Sequence, residues 1–487
     1  MVDNVSAVSC SSYNRDEVYS AVVKAITEAT DFPDIKGKRV LVKPNLLIGT
    51  ENSIDRGICT NPEVVYAVGK YVLENGGILE IADTPGGRLS PTIAKNVYLH
   101  CGIEKVAEEL GISLDYNIEF SEVQHPDGKQ LKSFLLIDAA QNADVIISVC
   151  KLKTHVLTHY TGAVKNTFGL IPGLHKSVMH RRFQTVADFA DMLIDVNEVV
   201  MPDFVVMDAI VGMEGDGPQN GTLRDVGYIL ASSSVYATDV VAQKMIGFNP
   251  LTIPTTVAAI NRNKVNIDEI TTTGDNIIPT PDFKKPSYYD KVSLATTHVR
   301  REALRRTGRY DKSLKITGRY DKYLIHCLKI KKIFIHCLKM LGAVQTYAPH
   351  VDANKCTLCG ACVRYCPTQS LKIDKGKVVF NKKTCVRCSG CQDACKNGSI
   401  TQNTKPFGLG ILIKPFRKYI FAYPKVIQDN CIGCAQCVNI CSVDAVSIKN
   451  KKAKFNTAKC IRCYCCHEMC SYNAIEIELP LWKRIHK

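Results

Sequence analysis

Four cysteine runs restrict this chain more than any other feature of it. They read CTLCGACVRYC (356–366), CVRCSGCQDAC (385–395), CIGCAQCVNIC (431–441) and CIRCYCCHEMC (460–470), each spaced C-x2-C-x2-C-x3-C. Together they hold seventeen of the 23 cysteines in 487 residues. Disulfide frameworks belong to short secreted chains. This chain is long, and its opening MVDNVSAVSCSSYNRDE has no basic segment leading into an apolar core. A secretory signal is therefore not expected, and the cytoplasm is the expected compartment. The thiols read as metal ligands. Zinc sites rarely place three thiolates at i, i+3 and i+6, whereas a cube of iron and sulfide takes three closely spaced thiolates on one face and a fourth from a companion run.

The ligands are accordingly assigned crosswise. Cys356, Cys359, Cys362 and Cys395 take one 4Fe–4S cluster, and Cys385, Cys388, Cys391 and Cys366 its partner. Cys431, Cys434, Cys437 and Cys470 take the third, and Cys460, Cys463, Cys466 and Cys441 the fourth. The modules resemble bacterial two-cluster ferredoxins. They depart from that pattern after the fourth cysteine, where only Pro367 supplies the usual proline; Lys396, Ser442 and Ser471 stand in the other runs. Cys465 is a fifth thiol inside the last run and reads as a bystander. Cys10, Cys59, Cys101 and Cys150 are scattered and read as small buried hydrophobes.

The length allows two to four domains. Residues 1–295 alternate apolar runs such as RVLVK (39–43), ILEIAD (78–83), DVIISVCK (144–151) and FVVMD (204–208) with helical patterns at 62–74 and 103–110. That alternation predicts an α/β domain with a mostly parallel sheet. A basic connector follows at 296–345. Two small α+β ferredoxin-like modules at 346–402 and 424–478 flank a spacer at 403–423, and a tail covers 479–487. In the connector, TGRYDK and IHCLK each recur after ten residues, which on a helix does not preserve one face.

Ligands of open α/β sheets sit beyond the carboxyl ends of the strands. Those ends carry Lys43 and Asn45 (in KPN), Asp83 (in DTPGG), Lys151, Lys153 and His155 (in KLKTH) and Asp208. The stretch TGAVKNTFGLIPGLHK (161–176) follows KLKTH and reads as a loop over an anion. Lys165 and Asn166 are expected beside Lys151 and Lys153, with Gly162 and Gly169 letting backbone N–H groups approach. IVGMEGDGPQNG (210–221) adds Glu214 and Asp216 among glycines. The expected site has a cationic wall (Lys43, Lys151, Lys153, Lys165) and an acidic wall (Asp208, Glu214, Asp216). Asp208, Glu214 and Lys165 are the candidate catalytic residues; Lys43, Asn45, Asp83, Lys151, Lys153, His155 and Asn166 are the candidate substrate-binding ones. The competing reading is a structural salt-bridge network. His155, His159, His175 and His180 lack regular metal-ligand spacing and read as hydrogen-bonding groups.

KPNLL, TNPE, DTPGG, KLKTH, TGAVKNTFGLIPG, His180 and MDAIVGMEGDGP resemble, in this order across roughly residues 5–270, the domain-of-unknown-function family 362. The resemblance implies an α/β fold linked to iron–sulfur modules and hands over no catalytic residue.

No P-loop, dinucleotide fingerprint, flavin or nicotinamide motif is seen. The formal charge of +15 falls to about +7 if four clusters each carry about −2. Between Arg300 and Lys339, thirteen Lys/Arg face three acids, a net +10. That segment suits an acidic electron-carrier protein or partner oxidoreductase, and 324–341 suits a peripheral membrane contact. Nucleic acid is not an expected partner, because no recognition motif accompanies the charge. The leading expectation is an iron–sulfur oxidoreductase acting on an anionic small molecule; the alternative is a non-catalytic electron-transfer subunit docking a partner enzyme. Sixteen ligands in this spacing predict about sixteen irons per chain after purification without oxygen, measured by metal analysis. Cys465→Ser should leave that number unchanged, and Cys395→Ser should disturb the cluster ligated at 356–362.

Overall fold

The computed structural model describes residues 3–87, 89–183, 185–287, 348–364, 370–381, 391, 395, 399–403, 423–441, 444–457, 460 and 463–478. The basic connector, its repeats, the segment 324–341, most of the spacer, the tail, and Cys366, Cys385 and Cys388 lie outside these residues.

Among the described residues the first domain builds one eight-stranded sheet. Its strands are β1 (Asn4–Ser9), β2 (Arg39–Pro44), β3 (Ile78–Ile81), β6 (Val145–His155), β7 (His159–Thr161), β8 (Phe204–Glu214), β9 (Thr222–Ser232) and β10 (Thr271–Gly274). A separate antiparallel pair is formed by β4 (Phe120–Gln124) and β5 (Ser133–Ile137). The sheet order is β10-β1-β9-β8-β6-β2-β3, with β7 paired to β6. Four of its seven pairings are parallel, and β3-β2-β6-β8 form one contiguous parallel block. The expected mostly parallel α/β domain is thus a mixed sheet whose parallel half carries the strand ends of interest.

Local sequence explains the covering helices. Asn14 accepts the N–H groups of Asp16 and Glu17 and opens the helix Arg15–Ala29. Asn61 accepts from Glu63 N–H, and Pro62 takes the first helical position, where its missing N–H costs nothing. Val18, Val22 and Ile26 on the first helix, and Val64, Val68 and Val72 on the second, bury against Val40, Val42, Ile147, Val149 and Val206 of the sheet. Each such side chain contributes about 1.5–3 kcal/mol of hydrophobic free energy.

Two segments differ from the sequence expectation. The run read as ending at Lys151 continues to His155, because Lys153, Thr154 and His155 pair with Thr161, Tyr160 and His159. The apolar run read as ending at Asp208 continues as strand through Glu214, because Val211, Gly212, Met213 and Glu214 pair with Asp225, Arg224, Leu223 and Thr222. Cross-strand pairing overrode the glycine content.

The two cysteine modules repeat one pattern. In the first, β11 (Ala348–Val351) pairs with β14 (Ile400–Asn403), and β12 (Leu371–Asp374) with β13 (Lys377–Phe380). In the second, β15 (Tyr423–Val426) pairs with β18 (Ile475–Glu478), and β16 (Val446–Lys449) with β17 (Lys452–Phe455). Both inner hairpins turn on two residues of positive φ, Lys375–Gly376 and Asn450–Lys451, as a tight right-twisted hairpin requires.

A buried charge ties the first domain together away from the strand ends. Asp195, on the helix Val186–Val200, is fully buried. It accepts the N–H groups of Lys129, Gln130 and Leu131 and pairs with Arg262. Asp195→Ala leaves these donors without their acceptor, and a loss of about 3–5 kcal/mol is expected, read as a lower urea midpoint by far-ultraviolet circular dichroism.

Candidate functional site

Neighbouring parallel strands bring five of the expected side chains to one end of the sheet. Lys43 closes β2 and is fully buried. Its Nζ lies 2.9 Å from Asp83 Oδ1 and donates to Pro44 O at 2.6 Å and Asn166 Oδ1 at 3.2 Å. Burial pushes the Lys43 ammonium below its ordinary pKa, and Asp83 opposes that shift. The Leu46 N–H holds the other Asp83 oxygen at 2.9 Å.

Lys151 forms a second pair. In register with Asp208, its Nζ donates to Asp208 Oδ2 at 2.8 Å and to Tyr13 Oη at 2.7 Å. Tyr13 in turn donates to Asp208 Oδ1 at 2.9 Å, and Asn61 N–H donates to Oδ2 at 3.0 Å. Asp208 is therefore closed in a structural ion pair, as the salt-bridge reading anticipated. Burial, and then the Asp208 charge, raise the Tyr13 phenol well above its ordinary pKa.

Lys153 and Lys176 differ. A register shift in the β6–β8 ladder separates Lys151 from Lys153. Lys153 Nζ donates to Asn45 Oδ1 at 2.5 Å and Ile58 O at 2.7 Å. Lys176 donates to Thr84 O at 3.0 Å, Pro85 O at 3.1 Å and Thr84 Oγ1. Both side chains are buried, and neither pairs with a carboxylate among the described residues. Burial lowers each to about 7; Lys165 adds to the shift at both, whereas Cys59 opposes it at Lys153 and Asp83 opposes it at Lys176. Lys165 itself is half-buried, with its Nζ 5.8 Å from the Phe168 ring centre. Lys176 was within the quoted stretch but not singled out; a lysine ending a glycine-rich segment was its signal.

That stretch is not an open loop. It folds into the short helix Ala163–Asn166, a 3-10 turn at Thr167–Leu170 and the start of the helix His175–Arg182. Asn166 is a brace: its Nδ2 donates to Ser148 Oγ at 2.9 Å and Lys43 O at 3.2 Å. Gly169 lies against the Lys43–Asp83 pair, where a Cβ would collide with both groups. Gly162 lies equally close to Asp239 and Tyr160. The glycines thus admit buried side chains. Asp239, which the sequence did not flag, accepts Ala163 N–H at 2.7 Å, Val164 N–H at 3.1 Å and Tyr160 Oη at 3.1 Å. Burial lifts its carboxyl to about 7 against those bonds.

The expected acidic wall does not form as one surface. Glu214 accepts Lys284 N–H at 2.9 Å and meets Lys284 Nζ at 3.1 Å, while Asp216 accepts from Ser287. Both brace the segment at 284–287. His155 is buried, and its Nδ1 accepts the N–H groups of Leu157 and Thr158, which caps the turn between β6 and β7. Cys10, Cys59, Cys101 and Cys150 are all buried. Cys59 shares a hydrogen bond with Cys101, which lowers its thiol pKa, with Lys153 acting the same way.

In the first cysteine module, Cys356, Cys359, Cys362 and Cys395 line one cavity with Val378 and Ile400. Burial raises the Cys362 thiol, and the sulfurs of Cys356, Cys359 and Cys395 push the same way. In the second, burial raises Cys466, followed by Cys463, Cys460, Cys441 and Cys437. Backbone N–H groups point at cysteine sulfurs: Ala445 at Cys441 (3.2 Å), Ala453 at Cys431 (3.4 Å) and Ser399 at Cys395 (3.3 Å). Soft sulfur donors around one space, met by N–H groups that stabilise thiolate, fit a 4Fe–4S cubane.

Residues 40–244 match the model of the domain of unknown function DUF362. A thylakoid-associated protein of Synechocystis sp. is 33% identical over 262 residues, 53% of this chain and 79% of that protein. The chain belongs to the DUF362 family. A 4Fe-4S dicluster domain matches at 348–396 and a 4Fe-4S binding domain at 428–444. Ferredoxin-1 of Rhodobacter capsulatus is 40% identical over 58 residues, 12% of this chain and 89% of the ferredoxin. The delta subunit of NADH-dependent phenylglyoxylate dehydrogenase from Aromatoleum evansii is 37% identical over 54 residues, 11% of this chain and 58% of that subunit. The segments 348–396 and 428–444 of this DUF362 protein are therefore of the iron–sulfur electron-transfer kind. Among the described residues no helix is long and apolar enough to cross a membrane.

The two uncompensated lysines set a pH dependence. Their pKa values stand near 7 in the fold and near 10.4 in the unfolded chain. Between those limits the unfolded chain holds protons that the fold has released, so stability rises with pH across that window; below about pH 7 the full cost of burying charge is present. Lys153→Met with Lys176→Met should flatten this rise, as followed by thermal melts from pH 7 to 10.

Proposed function

We propose that this DUF362 protein is an iron–sulfur oxidoreductase. Electrons pass through four 4Fe–4S clusters to an anionic small molecule held in the first domain by Lys153, Lys165 and Lys176. The observation that carries this reading is the pair of buried ammonium groups, Lys153 and Lys176, that meet only neutral acceptors among the described residues. A carboxylate or phosphate beside them would supply the missing negative charge, and each charge-assisted bond contributes roughly 1.5–3 kcal/mol. Lysines poised near pH 7 also suit proton delivery to a substrate that gains electrons. Lys43, Lys151, Asn45, Asp83, Asp208 and Asn166 then position these groups by the bonds described above. Glu214 braces its strand rather than moving protons, and His155 shapes the β6–β7 turn. The electron donor in this reading is an external carrier protein or partner oxidoreductase.

A second reading has one observation in its favour. The match to a dehydrogenase's delta subunit is to a protein that works within a larger enzyme. The chain would then be an electron-transfer subunit that docks a partner, with no substrate of its own.

Lys165→Met separates the two. In the oxidoreductase reading, the anaerobically purified variant keeps its iron, its cluster reduction and its melting temperature. It loses the anion found by mass spectrometry in the native protein, with affinity reduced about 10- to 150-fold for one charge-assisted bond of 1.5–3 kcal/mol. Retention of the same anion together with an earlier melt assigns Lys165 to bracing and overturns the site.

A further inference from the structure

Each fourth cysteine is followed, four residues on, by a small residue. In the first module it is serine both times, Ser370 and Ser399; in the second it is alanine both times, Ala445 and Ala474. All four residues are 2% exposed, as expected of one repeated position. The structure gives the difference a chemical meaning. Ser399 N–H donates to Cys395 Sγ at 3.3 Å, and Ala445 N–H donates to Cys441 Sγ at 3.2 Å, so the backbone bond is common to both modules. Ser399 adds its hydroxyl, with Oγ 2.9 Å from the same Cys395 sulfur. Once Cys395 is a thiolate ligand it has no proton to give, so the hydroxyl is the donor. Alanine offers no counterpart.

Hydrogen bonds to ligand sulfurs are one of the levers that set cluster potentials. A donated bond stabilises the sulfur more as the cluster gains an electron, because the accepting charge grows. We infer that Ser399 is a potential-tuning residue: its hydroxyl holds the cluster of Cys356, Cys359, Cys362 and Cys395 at a higher reduction potential than it would otherwise have. Ser370 repeats the residue type in the same module. The inference rests on the reading of these cysteines as cluster ligands. Ser399 is a positioning residue and touches no substrate.

The substitution is mild. The structural bond of Ser399 is its backbone carbonyl, which accepts Asp352 N–H at 2.7 Å and survives Ser399→Ala. The test uses the full chain, reconstituted without oxygen, with iron and sulfide measured first. Midpoints are then read by electron paramagnetic resonance during redox titration. Ser399→Ala should keep the native iron content and lower one midpoint, shifting that cluster's oxidised-to-reduced ratio about tenfold at fixed potential, about 59 mV for one electron. One exchangeable-proton coupling should vanish from its electron–nuclear double resonance spectrum. Ala445→Ser should raise one midpoint of the second module, which keeps the test open if Ser399→Ala loads poorly. Native iron with unchanged midpoints and couplings in both variants overturns the tuning role. A native chain that takes up no iron overturns the ligand reading beneath it.

Discussion

Burying ammonium groups is the constraint on which the first domain depends. Four lysines meet it, in two ways. Lys43 and Lys151 are answered by Asp83 and Asp208 at 2.9 and 2.8 Å. Among the described residues, Lys153 and Lys176 are answered by carbonyl, amide and hydroxyl oxygens alone. Removing one partner from a buried pair strands the other charge, which costs several kcal/mol. Much of the surrounding sequence therefore serves these groups: Tyr13 and the Asn61 N–H complete Asp208, Leu46 N–H and Lys43 complete Asp83, and Gly169 is bare so that the pair beneath it fits.

The cysteine modules face the opposite problem with the same means. Thiolates are negative, and the fold meets them with backbone N–H groups from residues just past the ligands and from the inner hairpin. The strand pairing repeats in both copies, and each shows an N–H donor just past a cysteine; the inner-hairpin donor is seen in the second. Under the inference drawn above, serine against alanine at these positions acts on cluster electronics rather than on the fold.

The sequence carried these two halves unequally. The cysteine spacing is local chemistry, and the sulfurs of 356, 359, 362 and 395 do share one space. In the first domain, polar residues ending apolar runs marked Lys43, Asp83, Lys151, Lys153 and Asp208, because a buried strand has few other reasons to hold them. Their pairing was not legible. Which carboxylate meets which lysine depends on strand order and register, and β6 beside β8 sets Lys151 against Asp208. Glu214 was misplaced because glycine-rich 210–221 resembles a loop until β9 pairs with it. Asp239 sits mid-helix, far along the chain from Gly162, and no local pattern links the two.

In the proposed reading, charge relates Lys153 and Lys176 to electron delivery. A molecule that accepts electrons becomes more negative, and a site stabilises that change best when its positive groups are fixed before the electrons arrive. A carboxylate already paired to Lys153 or Lys176 would cancel that advantage in advance. Burial does the reverse: it holds each near pH 7, where either protonation state is accessible and an added negative charge pulls the proton on. Lys43 and Lys151 each already face a carboxylate, Asp83 and Asp208. In the proposed reading, the lysines paired to acids are the frame of the site, and those that meet only neutral acceptors among the described residues are its working part.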